Sequence, residues 1–502
     1  MSQPRTLADL FARAEPTPPA VILPEDDASV AYRGLAEQVE ALARTLAASG
    51  LHPGEAVAIV LPNGLEYLAT FLAVARARLV AAPLNPAYKA EEFRFFLEDA
   101  GVRAVIAPGA AHPVHDVAEQ LGLPVWRATR GAEAVRLEGP GIGAAGQGEP
   151  ETPHPHDVAL FLHTSGTTSR PKGVPLRHAN LMASARNIAD HYRLTPEDTS
   201  LVVMPLFHVH GLIGATLSTL LTGGTVVVPG RFSAGAFWPA ARAHRVTWYS
   251  AVPTIHQVLL ARADADGAPR QSGLRFIRSC SSALAPPTHA QLEERFAAPV
   301  LEAYGMTEAA HQMTSNPLPP AARKPGTVGQ GTWVEVAVLD EGGRMLPVGT
   351  PGEVAVRGPN VMHGYHNHPA ANEAAFTGGW FRTGDRGVLD AEGFLTLTGR
   401  IKELINRGGE KISPLEIDAV LLAHPAVAEA AAFAAPDPKY GEEVHAAVVL
   451  RGEATEAELR EYCCRSLADF KVPKVFYIAP ELPRTATGKV QRRHVAAAFL
   501  KP

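Results

Sequence analysis

The chain reads as an α/β protein built on parallel sheet, and three observations predict this. Short apolar runs alternate with amphipathic segments from early in the chain. The runs have the length of buried strands, whereas the segments between them carry apolar residues at helical spacing. At 502 residues the chain exceeds one ordinary core, so two or more domains are expected.

Residues 57–61 form the first strand of this rhythm. Residues 65–79 follow as a helix with Leu68, Phe71, Leu72 and Ala75 on one face. Residues 81–84 make a second strand, stopped by Asn85-Pro86; residues 91–97 are helical, and residues 104–107 give a third strand. From 128 to 156 the pattern yields to Gly, Pro and Ala, which reads as a surface connection. Residues 158–162 resume as a strand, 180–192 as a helix and 201–204 as a strand. The stretch 199–230 carries no formal charge, but Pro205, His208, His210 and Gly223-Gly224 interrupt it. Its run 212–221 is too short to span a bilayer, so a buried helix, a turn and a strand at 225–228 account for it. Strands are expected at 248–253, with a turn, and at 274–280. Between 326 and 387 short strands alternate with Gly and Pro turns, as in a compact β unit. The character changes at Gly399-Arg400. Ser413-Pro414-Leu415-Glu416 has the form of a capping box with proline at the first helical position. Strands at 427–433 and 444–450 and a helix at 456–467 are enough for a small α+β domain.

The net charge is -5 with no long basic run, which gives no support for nucleic-acid binding; nucleotides need only a few local cations. Cys280, Cys463 and Cys464 form neither a metal spacing nor a secreted disulfide framework. The first residues hold no signal-peptide core, and Phe499-Leu500-Lys501-Pro502 is not a peroxisomal address. A cytoplasmic protein without a membrane span is expected, as monomer or dimer.

Four segments carry chemistry. After the strand at 158–162 come Thr164, Ser165, Gly166, Thr167, Thr168 and Ser169, then Arg170, Pro171, Lys172 and Gly173. Hydroxyls, backbone N–H groups and two cations can converge there on phosphate oxygens, although this is not the Walker pattern. Tyr304-Gly305-Met306-Thr307-Glu308 offers an aromatic for a base, a threonine for a phosphate and a carboxylate for Mg²⁺. Thr383-Gly384-Asp385 with Gly399-Arg400 supplies a carboxylate suited to ribose hydroxyls and a cation beside it. Pro483-Arg484-Thr485-Ala486-Thr487-Gly488-Lys489 places a lysine after a flexible turn.

In this order the four segments resemble the adenylate-forming enzymes, which include acyl-CoA synthetases, luciferases and peptide-synthetase adenylation domains. The resemblance runs from about Leu7 to Arg493. It implies a large N-terminal domain, 1–400, of parallel-sheet α/β subdomains plus a small β-barrel unit, and a mobile α+β C-terminal domain, 401–502. It also implies two half-reactions. A carboxylate attacks the α-phosphate of ATP to give acyl-adenylate and pyrophosphate; the thiol of coenzyme A then displaces AMP. By matching motif, the loop from Thr164 to Lys172 would cradle the β- and γ-phosphates. Tyr304 would stack on adenine, Thr307 would meet the α-phosphate, and Glu308 with Thr168 would hold Mg²⁺. Gly305, Ser282, Asp385 and Arg400 complete the nucleotide set, with Asp385 on the ribose. Lys489 would lie between the carboxylate and the α-phosphate. Lys402 occupies the hinge position, and Gly408 and Gly409 would let pantetheine approach the backbone.

Departures from the family pattern bear on the acid. Ser169 stands where the loop usually has glycine, and Ser279-Cys280-Ser281-Ser282-Ala283 puts hydroxyls where small apolar residues are usual. His311 and Gln312 follow the tyrosine motif where a fatty-acyl pocket would be apolar, and His208 lies in the Pro205-Leu206-Phe207-His208 channel segment. A second carboxylate left unpaired in a buried site would cost about 3–5 kcal/mol, which hydrogen bonds from His208, Ser281 and His311 could offset. These variants resemble the oxalate–CoA ligases of plants and fungi. Oxalate is therefore the expected acid. The alternatives are another short-chain, dicarboxylic or medium-chain fatty acid, or a carrier-loading adenylation enzyme.

Lys489→Ala is expected to lower adenylate formation about 10²-fold or more, because it removes a cation from developing charge. Supplied with preformed acyl-adenylate and coenzyme A, the variant should still form thioester. Equal failure in both assays would rule out a lysine confined to the first half-reaction.

Overall fold

Continuous apolar runs become the inner strands of two large sheets in the computed structural model, which describes residues 5–11, 18–131, 134–142, 148–164, 171–484 and 489–500. A seven-stranded sheet runs in the order Val135–Glu138, Val125–Arg130, Val102–Ala107, Ala56–Ile59, Val80–Pro83, Val158–Thr164, Lys172–Arg177. Its five inner strands are parallel, and an antiparallel partner lies at each edge. A nine-stranded sheet orders Gln330–Gly331, His311–Ser315, Val300–Met306, Phe276–Ser279, Trp248–Ala251, Thr199–Leu201, Thr225–Val227, Val21–Leu23 and Ala28–Val30. The six strands from Val300–Met306 to Val21–Leu23 are parallel. Parallel strands need crossover connections, and the helices that supply them cover the sheets.

The helix Leu65–Arg76 buries ten of its twelve residues, so it faces protein on all sides instead of the single face its spacing suggests. Tyr67 donates its hydroxyl to Leu206 O at 2.8 Å and so ties this helix to the chain that leaves the nine-stranded sheet. Two expectations are corrected. The stretch 128–156 is not merely a connection, because Val125–Arg130 and Val135–Glu138 pair there as an antiparallel hairpin. Trp126, Val135 and Leu137 are buried, but a four-residue strand beside Gly131 is too short to register as periodicity. Ser413 does begin the helix Pro414–Leu422, with proline at its start, yet no capping box forms. Its hydroxyl donates to Thr398 O, and Glu416 pairs with Lys471 at 2.7 Å.

The uncharged stretch 199–230 holds the strand Thr199–Leu201, a fully buried π-helix His210–Leu217, one α-helical turn Ser218–Leu221 and the strand Thr225–Val227. Such wide turns occur often at functional sites. Among the described residues no helix is long and apolar enough to cross a membrane. The compact β unit is a five-stranded antiparallel sheet of Glu335–Leu339, Gly352–Arg357, Phe376–Thr377, Trp380–Leu389 and Leu395–Arg400. Beyond it, Ile405–Arg407, Glu410–Ile412, Val427–Asp437, Gly441–Leu450 and Val475–Ile478 form a further sheet. That sheet has its own apolar cluster, which includes Ile405, Ile417, Leu421, Val444 and Phe476.

In open α/β sheets, ligands gather at the carboxyl ends of the strands. Here the strands ending at Ala251, Ser279 and Met306 are neighbours, so the segments that follow them meet. Glu302 lies inside the last of these strands and accepts from Gly326 N at 2.8 Å. Burial raises its pKa from 4.5 to about 7. The folded state therefore holds this proton where the unfolded chain has lost it, and stability falls as pH rises through the window from 4.5 to about 7. Glu302→Gln, which keeps the acceptor, should be more stable than wild type by about 1–3 kcal/mol at pH 8 and nearly equal to it near pH 5. Thermal melts at the two pH values check this; an equal difference at both would contradict it.

Candidate active site

The flanks of the Ser/Thr/Gly loop are held by strand pairing, with Thr164 opposite Lys172 in the antiparallel register. Ser165, Gly166, Thr167 and Thr168 lie outside the described residues. Lys172 Nζ sits 3.9 Å from the centre of the Tyr365 ring, and Tyr365 donates its hydroxyl to Glu308 Oε1 at 2.9 Å. One tyrosine thus joins the end of the loop to the carboxylate proposed for a metal. Sequence reasoning did not single out Tyr365, because an aromatic in a turn-rich stretch gives no signal of its own. Burial raises the pKa of Glu308 despite Tyr365, Lys172 and Arg400, and burial lowers that of Lys172 despite Glu308.

The strand Val300–Met306 delivers Tyr304 and Gly305, with a bulge between them, and a short 3₁₀ turn Thr307–Ala309 carries Thr307 and the buried Glu308. Tyr304 donates its hydroxyl to Asp385 Oδ2. Asp385 and Arg400 are register partners on adjacent strands, and Arg400 Nε lies 3.0 Å from Asp385 Oδ1. Asp385 raises the Arg400 pKa, and burial, then Asp385, raises that of Tyr304. The two motifs, about eighty residues apart, therefore share one carboxylate.

The acid-pocket candidates also meet. Ala310 and His311 both have positive φ, 48° and 104°, a strained reversal that carries the chain from the 3₁₀ turn into the strand His311–Ser315. The buried His311 ring stacks on His210 at 5.1 Å between centroids. His210 Nδ1 lies 3.1 Å from Ser281 Oγ and its Nε2 2.7 Å from Ser250 Oγ. His208 accepts at Nδ1 from the backbone N–H of His210 at 3.2 Å, so in its neutral ring the proton sits on Nε2. Ser282 is exposed, and its hydroxyl donates to Ser281 O at 2.9 Å. Burial, then Lys489, pushes the His208 pKa down to about 3; burial, then Arg278, holds His210 and His311 well below the usual histidine value. The cluster is a set of neutral imidazoles. His210, Ser250 and Arg278 were missed as functional candidates, and Gln312 was noted only as a polar departure beside His311. The signal available for Arg278 was a charge in a strand, Phe276–Ser279, whose other residues are uncharged.

His311 Nε2 is buried with no hydrogen-bond partner, and a Cβ placed on Gly214 would stand 2.5 Å from it. Gly214, in the π-helix, thus leaves the space that the ring fills.

The C-terminal part reaches the same place. The charge of Lys489 is felt by His208, His210 and His311, and burial lowers its own pKa. Lys402 lies in a 3₁₀ turn, Ile401–Glu403, directly after the antiparallel sheet. Gly408 and Gly409 have φ of 58° and 100° and form the two-residue turn between Arg407 and Glu410. That hairpin geometry by itself calls for two glycines. Among the described residues no group of three or more His, Cys, Asp or Glu side chains could hold a metal ion.

Comparisons with known proteins show the family and the fold. The family model described as AMP-binding enzyme matches residues 10–366, and that described as AMP-binding enzyme C-terminal domain matches 416–489. The chain is 50% identical to an oxalate–CoA ligase of Arabidopsis thaliana, covering 92% of this chain and 91% of that one. It is 46% identical to an oxalate–CoA ligase of Saccharomyces cerevisiae, covering 96% and 95%. The crystal structure of ATP-bound MatB from Rhodopseudomonas palustris superposes with a TM-score of 0.90 at 31% identity, covering 99% of both chains.

Gly214→Ala should drive a methyl into the His311 ring and cost about 1–3 kcal/mol in a denaturant titration. In a His311→Ala background the same change should be nearly neutral. An equal cost in both backgrounds would place the clash elsewhere.

Proposed function

Because the chain belongs to the AMP-binding enzyme family, we propose that it ligates oxalate to coenzyme A through an oxalyl-adenylate. One oxygen of the acid attacks the α-phosphorus of ATP and pyrophosphate leaves. The thiol of coenzyme A, losing its proton, then adds to the activated carbonyl and AMP departs. The observation that carries the choice of acid is the cluster of polar side chains at the carboxyl ends of the sheet. His311 Nε2 is buried there unpartnered, beside His210 and Ser281, and Lys489 is close by. An alkyl chain would leave His311 Nε2 and the Ser281 hydroxyl hydrogen unpaired, whereas a second carboxylate can accept from them.

In this reading Tyr304 faces the adenine, and Asp385 with Arg400 holds the ribose side. Thr307 meets the α-phosphate, and the loop from Thr164 to Lys172 takes the β- and γ-phosphates. Gly305 and Ser282 border the nucleotide. Glu308 suits Mg²⁺, which typically uses one or two carboxylates and takes its other ligands from phosphates and water. Its carboxylate is buried, with Tyr365 donating to Oε1. A bound Mg²⁺ would offset charge on the phosphates, with Glu308 and Thr168 as its protein ligands. Neutral His208, with its proton on Nε2, is a donor to the reacting carboxylate and not a base. Lys489 supplies the cation at the bond being made. Residues 401–502 form the unit that brings it there and turns about Lys402 for the second step, with Gly408 and Gly409 on the thiol side.

His311→Ala should lose most activity with oxalate and little of any activity with acetate or hexanoate, with the KM for ATP nearly unchanged. A site built for a polar group rejects the analogue lacking it by about 10⁴-fold, so wild type should reject acetate strongly. The measurement is kcat/KM for the three acids. Equal loss on all three would make His311 structural, and a wild type that prefers hexanoate would refute the oxalate assignment.

A further inference from the structure

Arg278 is fully buried in the strand Phe276–Ser279, in register beside Ser250 of the neighbouring parallel strand. Its Nη1 donates to Ser250 Oγ at 2.8 Å. Its Nη2 and Nε donate to Gln312 Oε1 at 2.8 and 3.2 Å, and Nε also to Tyr192 Oη at 2.9 Å. Each of these acceptors is neutral, and among the described residues no carboxylate pairs with this guanidinium. A buried cation without a counter-charge is costly, which points to an anion brought by a ligand.

The hydrogen bonds have a direction. Arginine has no acceptor, so Ser250 must accept from it. The Ser250 hydroxyl hydrogen is then left for its other partner, His210 Nε2, at 2.7 Å. Since Nε2 of the neutral ring accepts, Nδ1 carries the proton and donates to Ser281 Oγ at 3.1 Å. Ser281 accepts in turn, and its own hydroxyl hydrogen is left to donate toward the pocket.

We propose that Arg278 is a specificity-determining positioning residue: through Ser250 and His210 it turns the Ser281 hydroxyl hydrogen toward a second anionic group on the bound acid. The relay rests on the placement of the acid beside Ser281 and His311 given above. It makes the pocket a donor of one polarity, so acids with a terminal carboxylate are retained and acids ending in a methyl group are not. Arg278 itself stays behind the first row of side chains.

Ser250→Ala cuts the relay while Arg278, His210 and Ser281 remain. The KM for oxalate should rise about tenfold or more and the oxalate-to-acetate ratio of kcat/KM should fall, with the KM for ATP within about twofold of wild type. Ser250→Thr, which keeps the hydroxyl, should restore the ratio. An unchanged oxalate KM, or equal loss on both acids, overturns the relay. The tautomer is read independently in the wild-type chain by NMR of ¹⁵N-labelled histidine, with His210 assigned from His210→Asn. A proton on Nδ1 is expected, and a proton on Nε2 overturns the proposal even if Ser250→Ala fails to fold. A wild type that does not use oxalate refutes the functional reading and leaves the tautomer result standing, so the two failures are distinguishable.

Discussion

A guanidinium sealed inside a parallel sheet needs an acceptor for its N–H groups, and Arg278 imposes that demand on three elements at once. Ser250 comes from the adjacent strand, Gln312 from the strand after the 3₁₀ turn and Tyr192 from the end of the helix His178–His191. Ser250 then holds His210 at the start of the π-helix. A parallel register error of one residue would turn Ser250 to the opposite face of the sheet and leave Nη1 of Arg278 and Nε2 of His210 without their shared partner. The register of two strands therefore decides how His210 is held.

The rest of the site follows the same economy of charge. Lys172, Arg278, Arg400 and Lys489 all border it, while the histidines between them are kept neutral by burial first and then by Arg278 and Lys489. The field is positive before any ligand arrives, and the carboxylates that remain, Asp385 and Glu308, are each tied by a tyrosine hydroxyl. Tyr304 and Tyr365 thus fix where negative charge is allowed. Such a site is organised for anions and spends little reorganisation on them.

Much of this was legible in the amino-acid order, and the reasons for the rest are physical. Inner strands announced themselves as apolar runs because both faces of a parallel sheet are buried. The strand Val135–Glu138 did not, since it is short and alternates between buried and exposed residues. Tyr304, Glu308, Asp385 and Lys489 stood in local motifs whose chemistry could be read one segment at a time. Ser250, His210 and Gln312 could not, because their roles depend on which strands are neighbours. The helix start at Ser413 was visible, but not its partner: a hydroxyl that could cap its own helix bonds a carbonyl fifteen residues back.

That bond between Ser413 and Thr398 crosses the junction at Arg400, with Lys402 between its two ends. If residues 401–502 turn about Lys402 as proposed, this bond is given up. A neutral hydrogen bond is worth only about 0.5–1.5 kcal/mol, so it would bias the two orientations by a factor of about 2 to 10 and could not lock either. Taken alone, the bond is therefore a light detent and not a bolt. On the proposed rotation, the orientation would be decided mainly by what occupies the cleft.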